Sequence, residues 1–279
     1  MVRLLKDDMK GICKLTHKPG IFVSSHLIPK ALTKPEKSGL PFVQNGYGKR
    51  PSRRWSSWYD ERLVTREGED ILAALDDWAI AELRKHKLVW SGWGPMQALA
   101  DGHDAIGETG FGVRSVRDID GKRLRLFFLS LLWRAAATVR PEFSEITIPS
   151  EDIERLRLMV LSSDPEPPTF YQIQLTQIST LGIIHNLTPL AMTKTIPAYG
   201  ESPERTVAFF RFYFDGLVVH IHSDNTNQEI TQQLGSLVVG LDSSITVSTV
   251  TYEISFQRKN LDRLIAEAYV KWPALMTKL

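Results

Sequence analysis

The stretch Ser24-Ser25-His26-Leu27-Ile28-Pro29-Lys30-Ala31-Leu32 is the part of this sequence around which the predicted fold is organised. A Lys18-Pro19-Gly20 turn and a β-prone run over 21–23 precede it. Pro29 suits the first turn of a helix, where its missing N–H costs little. Residues 10–33 are therefore predicted to form a short hairpin that leads into a helical turn over 28–32.

The charge of the chain is concentrated at its beginning. Residues 1–62 contain 13 Lys/Arg and 5 Asp/Glu, a net charge of +8, whereas the remaining residues contain 21 and 27, a net charge of −6. Residues 34–58 are rich in Lys, Arg, Pro, Gly and Ser without an apolar period, which predicts a long loop. A basic segment joined to an acidic body is typical of a nucleic-acid-binding protein. A solvated basic loop is the alternative.

Basic and aromatic residues alternate within this loop. Guanidinium groups pair with phosphates, and aromatic rings stack on unpaired bases. The predicted nucleic-acid-binding residues are Lys30, Lys49, Arg50, Arg53, Arg54, Trp55 and Trp58. The alternative is a loop whose tryptophans pack on the body of the protein and whose arginines are solvated.

The middle of the chain has the periodicity of helices. Apolar residues recur every three or four positions over 66–86, which predicts one amphipathic helix. Residues 123–139 are apolar nearly all round, which predicts a buried central helix in which Arg134 needs a carboxylate partner. A short strand over 143–148 and a helix over 153–161 are predicted to follow, and the proline-rich residues 164–168 read as a linker.

Beyond this linker the pattern is that of β-structure. Strands are predicted over 171–178, 206–214, 217–223 and 245–256, with Asp215-Gly216 as a hairpin turn, and a closing helix over 260–271. His220 and His222 should point to one face of a strand, as metal ligands can. Since no third ligand has suitable spacing, a structural pair is the favoured interpretation.

These patterns together predict an α+β fold with three segments. They are an N-terminal module with the basic loop (1–89), a helical region (90–163) and a β-rich region with a closing helix (164–279). A single cysteine excludes an internal disulfide and fits a reducing compartment. The sequence contains no run suited to a signal peptide or a membrane span, so a cytoplasmic protein without a membrane partner is expected.

Residues 10–160 resemble a group of uncharacterised bacterial HNH-endonuclease-like proteins. The group pattern is Cys-x-x-Cys, Ser-His-Ile-Ile-Pro-Lys, a basic loop and Leu-Cys-x-x-Cys-Glu. The corresponding residues of this chain are Cys13 and Thr16, then 25–30, then Thr65 and Gly68. Residues 128–135, with their Trp-Arg pair, are similar to a later helix of the group. The resemblance implies an N-terminal ββα module braced by a zinc knuckle.

Most of the metal ligands that the resemblance implies are replaced in this chain. A structural zinc needs four Cys or His ligands, and only Cys13 remains, with His17 as one conceivable substitute. No structural zinc is therefore expected. His26 is the candidate catalytic base, because imidazole titrates near neutral pH, and Mg²⁺ is expected only if a nuclease is active. The candidate replacement ligands are Asp60, Glu61, Glu67 and Glu69.

Three functions follow from these observations. The first is binding of DNA or RNA by a degenerate HNH-like module; the resemblance alone suggests a phage-defence or mobile-element setting. The second is an active metal-dependent endonuclease that uses His26. The third is an assembly subunit with a protein partner or self-association through the C-terminal sheet. If His26 is not catalytic, it is expected to hold the ββα unit together by hydrogen bonding.

Overall fold

The computed structural model describes residues 10–33, 57–100, 102–198, 200–201, 203–223, 228–271 and 273, together with the backbone of 42–45 and 52–54. The helices are α1 (Arg66–Lys85), α2 (Gly121–Ala137), α3 (Ser150–Ser162), α4 (Gln228–Leu234) and α5 (Phe256–Lys271). The strands are β1 (Lys10–Ile12), β2 (Pro19–Ile21), β3 (Ser25–His26), β4 (Phe42–Asn45), β5 (Ser52–Arg54), β6 (Tyr59–Asp60), β7 (Asp104–Ala105), β8 (Phe111–Val116), β9 (Ile173–Ile178), β10 (Asn186–Leu187), β11 (Leu190–Ile196), β12 (Arg205–Phe214), β13 (Leu217–His222) and β14 (Ile245–Val250).

The largest sheet has seven strands in the order β11-β12-β13-β9-β14-β8-β7. Only β9 and β14 pair in parallel within it, so the sheet is mixed. Helices and a mixed sheet in one chain make the protein α+β, as the sequence predicts. Two further pairs brace the N-terminal segment, because β1 lies antiparallel to β2 and β3 lies antiparallel to β6.

The hairpin between β12 and β13 is the sharpest local prediction that the structure confirms. Asp215 and Gly216 have φ angles of +51° and +80°. Two consecutive residues with positive φ form the turn whose twist matches that of the flanking strands, and Gly adopts this conformation without steric cost. The ring of Trp90 packs over the turn, since a Cβ atom on Gly216 would lie 2.5 Å from it.

The central helix α2 is buried along most of its length, as its composition predicts. Residues 124–135 are all buried, and the Asp120 carboxylate caps the helix by accepting a hydrogen bond from the backbone N–H of Arg123 at 2.9 Å. α1 and α3 pack against α2. The prediction for α1 is confirmed to within one residue at its end.

One hydrophobic core joins all three predicted segments. It contains Leu27 from the first segment, Phe127 from the second and Phe212 from the third. Strands β7 and β8 precede α2 in the chain, yet they extend the same sheet as β9 and β11–β14. The proline-rich segment after α3 is also fastened to α2, because the Arg125 guanidinium donates to the carbonyls of Pro165 and Pro167 at 3.0 Å each.

Several local predictions differ from the structure. Residues 143–148 form no strand: a short 3-10 turn over 141–143 is followed by irregular backbone, and Phe143 and Ile146 are buried individually. β8 lies within the segment 90–163, which the sequence predicts to be helical. Within the loop predicted over 34–58, β4 and β5 form an antiparallel pair, and β4 also pairs with β10. The helical turn predicted over 28–32 is a 3-10 turn at Lys30–Leu32.

Candidate functional site

The positions that correspond to the zinc ligands of the HNH-like pattern lie together. Cys13 Sγ accepts a hydrogen bond from the backbone N–H of Thr16 at 3.4 Å. A Cβ atom on Gly68 would lie 2.8 Å from the same sulfur. Thr65 bridges to the N-terminal segment through Phe22. Two segments about fifty residues apart in sequence therefore converge on the Cys13 sulfur.

The Cys13 thiol is fully buried within this convergence point. Burial pushes its pKa up, but hydrogen bonds from Thr16 and Thr65 outweigh this effect, so the pKa lies below that of an ordinary thiol. His17, the conceivable substitute ligand, has its Nε2 4.0 Å from the Glu154 carboxylate of α3. The four residues Cys13, Thr16, Thr65 and Gly68 are called the knuckle positions below.

His26 lies on β3, opposite Tyr59 of β6. Burial and, next, the charge of Lys30 lower the pKa of His26 below its ordinary value, although Asp76 opposes them. The ring is therefore neutral at pH 7, the form that can accept a proton. Its Nε2 is buried and makes no hydrogen bond. The backbone carbonyl of His26 accepts a hydrogen bond from Arg134 Nη1 at 3.3 Å, which fixes the strand on α2.

Two of the four candidate replacement ligands, Asp60 and Glu67, bind other groups, and so does Asp76. Asp60 accepts from the Thr138 hydroxyl at 2.5 Å and from the backbone N–H of Arg62 at 2.7 Å. Asp76 forms two hydrogen bonds with Arg134, and Glu67 pairs with Lys18. Glu61 is exposed, and Glu69 lies on α1. Among the described residues, no group of three or more His, Cys, Asp or Glu side chains is placed to hold a metal ion.

The predicted nucleic-acid-binding residues differ in their environment and in how much of them the structure describes. Lys30 is exposed in the 3-10 turn that follows His26. Arg53 and Arg54 lie on β5, where the structure describes only the backbone, and Lys49, Arg50 and Trp55 lie outside the described residues.

The prediction that Trp58 belongs to a nucleic-acid-binding surface is wrong, because this residue is only 3% exposed. Its ring packs edge-on against Phe143 with the ring centroids 5.8 Å apart. A ring enclosed in this way has no free face on which a base could stack, so Trp58 belongs to the core. The alternative proposed for the loop tryptophans, packing on the body of the protein, holds for this residue.

A cavity that the sequence did not indicate lies between the 3-10 turn after His26, the end of α1 and the β12–β13 hairpin. Its volume is about 390 Å³, and Arg84, His185 and Asp215 are among its lining residues. Burial raises the pKa of Asp215 to about 6 against hydrogen bonds from Ser91, and burial lowers the pKa of His185 to about 4. These residues come from distant segments, so no local sequence pattern marks them as a group.

Comparisons with protein-family models, curated proteins and solved structures find no match to this chain. Among the helices in the described ranges, none combines the length and the apolar character needed to cross a lipid bilayer.

Proposed function

We propose that this protein binds nucleic acid through an N-terminal module related to HNH nucleases, whose metal sites have been replaced. The observation that carries the proposal is the convergence of the knuckle positions on the Cys13 sulfur. In a zinc knuckle the metal joins two chain segments at such a point. Here Thr16, Thr65 and Gly68 occupy three of the positions. The two segments are joined instead by backbone hydrogen bonds, such as that from the Lys14 N–H to the Leu63 carbonyl at 3.0 Å, and by the packing of Gly68 against the Cys13 sulfur. This arrangement supports descent from a metal-braced module.

The order of elements around His26 supports the same proposal. β3 carries His26, β6 pairs with it after a long basic segment, and α1 begins six residues after β6. An HNH site would place its general base on the first of these strands. The charge of +8 over residues 1–62 supplies the attraction to phosphates, and exposed Lys30 lies close to the base.

Binding is favoured over cleavage because the described acidic residues do not surround His26. Phosphodiester hydrolysis in an HNH site needs a cation to stabilise the charge that develops on the phosphate. Asp60, on the strand paired with β3, and Asp76, whose charge acts on His26, already accept hydrogen bonds from Thr138 and Arg134. The second candidate, a metal-dependent endonuclease, is supported by one observation, the neutral His26 ring with its unpaired Nε2.

The test measures binding of fluorescently labelled single-stranded DNA, duplex DNA and RNA across a range of salt concentrations. The binding variant is Lys30→Gln/Arg53→Gln/Arg54→Gln. The matched control removes three cations from the exposed side of α5, Lys259→Gln/Arg263→Gln/Lys271→Gln. Each lost phosphate contact should reduce the slope of log K against log salt by about 0.9 on duplex DNA. We expect the slope to fall by about 2 to 3 in the first variant and to stay unchanged in the control.

The same oligonucleotides, incubated with Mg²⁺, Mn²⁺ or EDTA, separate binding from cleavage. We expect the wild type and His26→Ala to leave all of them intact. Metal-dependent cutting by the wild type that disappears in His26→Ala would establish the endonuclease instead. If binding is weak and insensitive to salt, or if both triple variants lose affinity equally, the nucleic-acid proposal is wrong. The assembly subunit, tested by sedimentation and co-purification, then becomes the better hypothesis.

A further inference from the structure

A second group of basic residues lies far from the knuckle positions, on one face of the seven-stranded sheet. This basic cluster consists of Lys194 on β11, Arg211 on β12, and His220 and His222 on β13. The register places Arg211 directly opposite His220, and His220 directly opposite Gln174 of β9. Because alternate residues of a strand share a face, three neighbouring strands present their cationic or imidazole side chains to one area.

The side chains of the basic cluster hold one another in place. Lys194 Nζ donates to Gln174 Oε1 at 2.6 Å, which links a side chain of β11 to a side chain of β9. It passes over the ring of Phe209, 5.3 Å from the centroid. Arg211 stacks on the Phe256 ring at 4.3 Å. The Lys194 ammonium and the Arg211 guanidinium are therefore positioned by aromatic rings and, for Lys194, by the Gln174 amide; neither is positioned by a carboxylate of the described residues.

The histidine tautomers follow from the partners. Arg211 Nη1 lies 3.1 Å from His220 Nε2, and a guanidinium only donates, so this nitrogen accepts and Nδ1 carries the proton. His222 Nδ1 lies 3.1 Å from the carbonyl oxygen of Gln172, so Nδ1 donates. His222 Nε2 and Arg211 Nε are both buried without a hydrogen-bond partner, on residues that are 0% and 8% exposed.

The charge of the basic cluster is not balanced by the described part of the protein. The other buried arginines have partners: Arg134 pairs with Asp76, Arg157 pairs with Glu154, and Arg125 donates to backbone carbonyls. Arg211 has one neutral ring nitrogen and one aromatic face. No hydrogen bond or ion pair in the described ranges joins a carboxylate to any member of the cluster.

The absence of a counter-ion among the described residues is accompanied by lowered pKa values of both Lys194 and Arg211. Burial, and next the charge of Arg211, lower the pKa of Lys194 to about 8, and burial lowers the pKa of Arg211 to about 10. A buried charge without a counter-ion is among the most expensive features a fold can carry. An anion bound between Lys194 and Arg211 would remove this cost and would give the unpaired Arg211 Nε an acceptor.

We propose that the basic cluster is a binding site for a phosphate group on a small ligand, with Lys194 and Arg211 as charged donors and His220 Nδ1 as a neutral donor. A tetrahedral oxyanion accepts hydrogen bonds from several directions, which matches donors on separate strands. A carboxylate prefers the paired N–H groups of the guanidinium fork, and here Nη1 is already bonded to His220. Because Arg211 is only 8% exposed, a terminal phosphate can approach it more readily than a phosphodiester within a polymer.

The first test uses the full chain with inorganic phosphate, measured by thermal unfolding and by titration calorimetry against sodium chloride of equal ionic strength. Phosphate should raise the melting temperature of the wild type, because a ligand that binds only the folded state stabilises it. Lys194→Gln should weaken binding roughly tenfold or more, since a hydrogen bond to a charged group is lost. The control Lys259→Gln, an exposed lysine on α5, should respond like the wild type.

The proposal can be tested even if Lys194→Gln fails to fold, because calorimetry on the wild type alone decides whether phosphate binds. No phosphate response beyond that of chloride overturns the proposal, and so does an equal response in the wild type and Lys194→Gln. Competition identifies the source of the phosphate. Displacement by a 5′-phosphorylated oligonucleotide but not by its 5′-hydroxyl form supports a nucleic-acid end; displacement by neither supports a small metabolite. Equal displacement by both overturns the preference for a terminal phosphate. The inference does not rest on nucleic-acid binding by the N-terminal module.

Discussion

The ion pair between Arg134 and Asp76 connects α2 with α1 and should be a major determinant of stability. Arg134 Nη2 lies 2.6 Å from Asp76 Oδ1, and Arg134 Nη1 lies 2.8 Å from Asp76 Oδ2. The Arg134 side chain is 1% exposed and that of Asp76 is 14% exposed. The same guanidinium also donates to the carbonyl of His26 and to the Ser130 hydroxyl. Asp76→Asn keeps the shape of the side chain and removes its charge.

The expected cost follows from this geometry. Removing one partner of a buried ion pair typically costs about 3 to 5 kcal/mol, because the other charge stays buried and unbalanced. Asp76 keeps some exposure, so water can reach the gap, and we expect the lower end, about 3 kcal/mol. For a chain of this size, about 2 to 3 °C of melting temperature corresponds to each kcal/mol, which gives a decrease of roughly 6 to 9 °C.

Urea unfolding, followed by tryptophan fluorescence, measures this cost. The matched control is Asp70→Asn on the same helix, where an exposed pair with Arg66 at 3.7 Å should contribute less than about 0.5 kcal/mol. The double variant Asp76→Leu/Arg134→Met should recover most of the loss, since apolar residues of similar volume replace buried pairs well. If Asp76→Asn lies within about 1 kcal/mol of Asp70→Asn, the pair is not the anchor that we infer.

Two further predictions concern the knuckle positions and the acid limb of stability. Replacing Thr16, Thr65 and Gly68 together by cysteine should crowd the Cys13 sulfur, because a Cβ at position 68 lies 2.8 Å from it. The free energy of unfolding of the metal-free variant should fall by about 1 to 3 kcal/mol, and one Zn²⁺ per chain should reverse the fall. If the variant with Co²⁺ shows no absorption typical of tetrahedral coordination, the proposed geometry is wrong. The pKa of His185 is lowered from 6.5 to about 4, so the unfolded state binds more protons within that window and the unfolding free energy falls as the pH drops through it. His185→Gln should remove up to ~3 kcal/mol of this fall in urea titrations, and parallel curves for both proteins would contradict the assignment.

Features set by local sequence were predictable, and features set by distant partners were not. The periodicity of α1, the apolar character of α2 and the Asp215-Gly216 turn are each encoded within a few residues, and the structure confirms them. The need of Arg134 for a carboxylate also follows from burial alone. Its partner Asp76 does not, because 58 residues separate them.

The errors have the same physical origin. Trp58 lies within a run of basic and aromatic residues that is typical of a nucleic-acid-binding surface, but Phe143, 85 positions later, encloses its ring. The apolar residues at 143, 146 and 148 resemble a strand pattern because all three are buried, although the backbone that carries them is irregular. At the candidate site, the spacing of residues in the HNH-like pattern was enough to identify His26 and the knuckle positions. It could not show that Asp60 and Asp76 are engaged by Thr138 and Arg134.

The basic cluster illustrates why a costly arrangement points to a ligand. Arg211 and His220 each lie between two apolar residues of their strands, and Lys194 lies between two threonines, so no strand by itself marks a binding site. Only the register brings Lys194, Arg211 and His220 together without a carboxylate. If stability alone shaped this area, a neutral residue at position 194 would serve better, because burial already opposes the charge of Lys194. Lys194→Gln should therefore unfold at the same temperature as the phosphate-free wild type or higher, while losing its response to phosphate. A variant that is less stable and still responds would mean that Lys194 is structural.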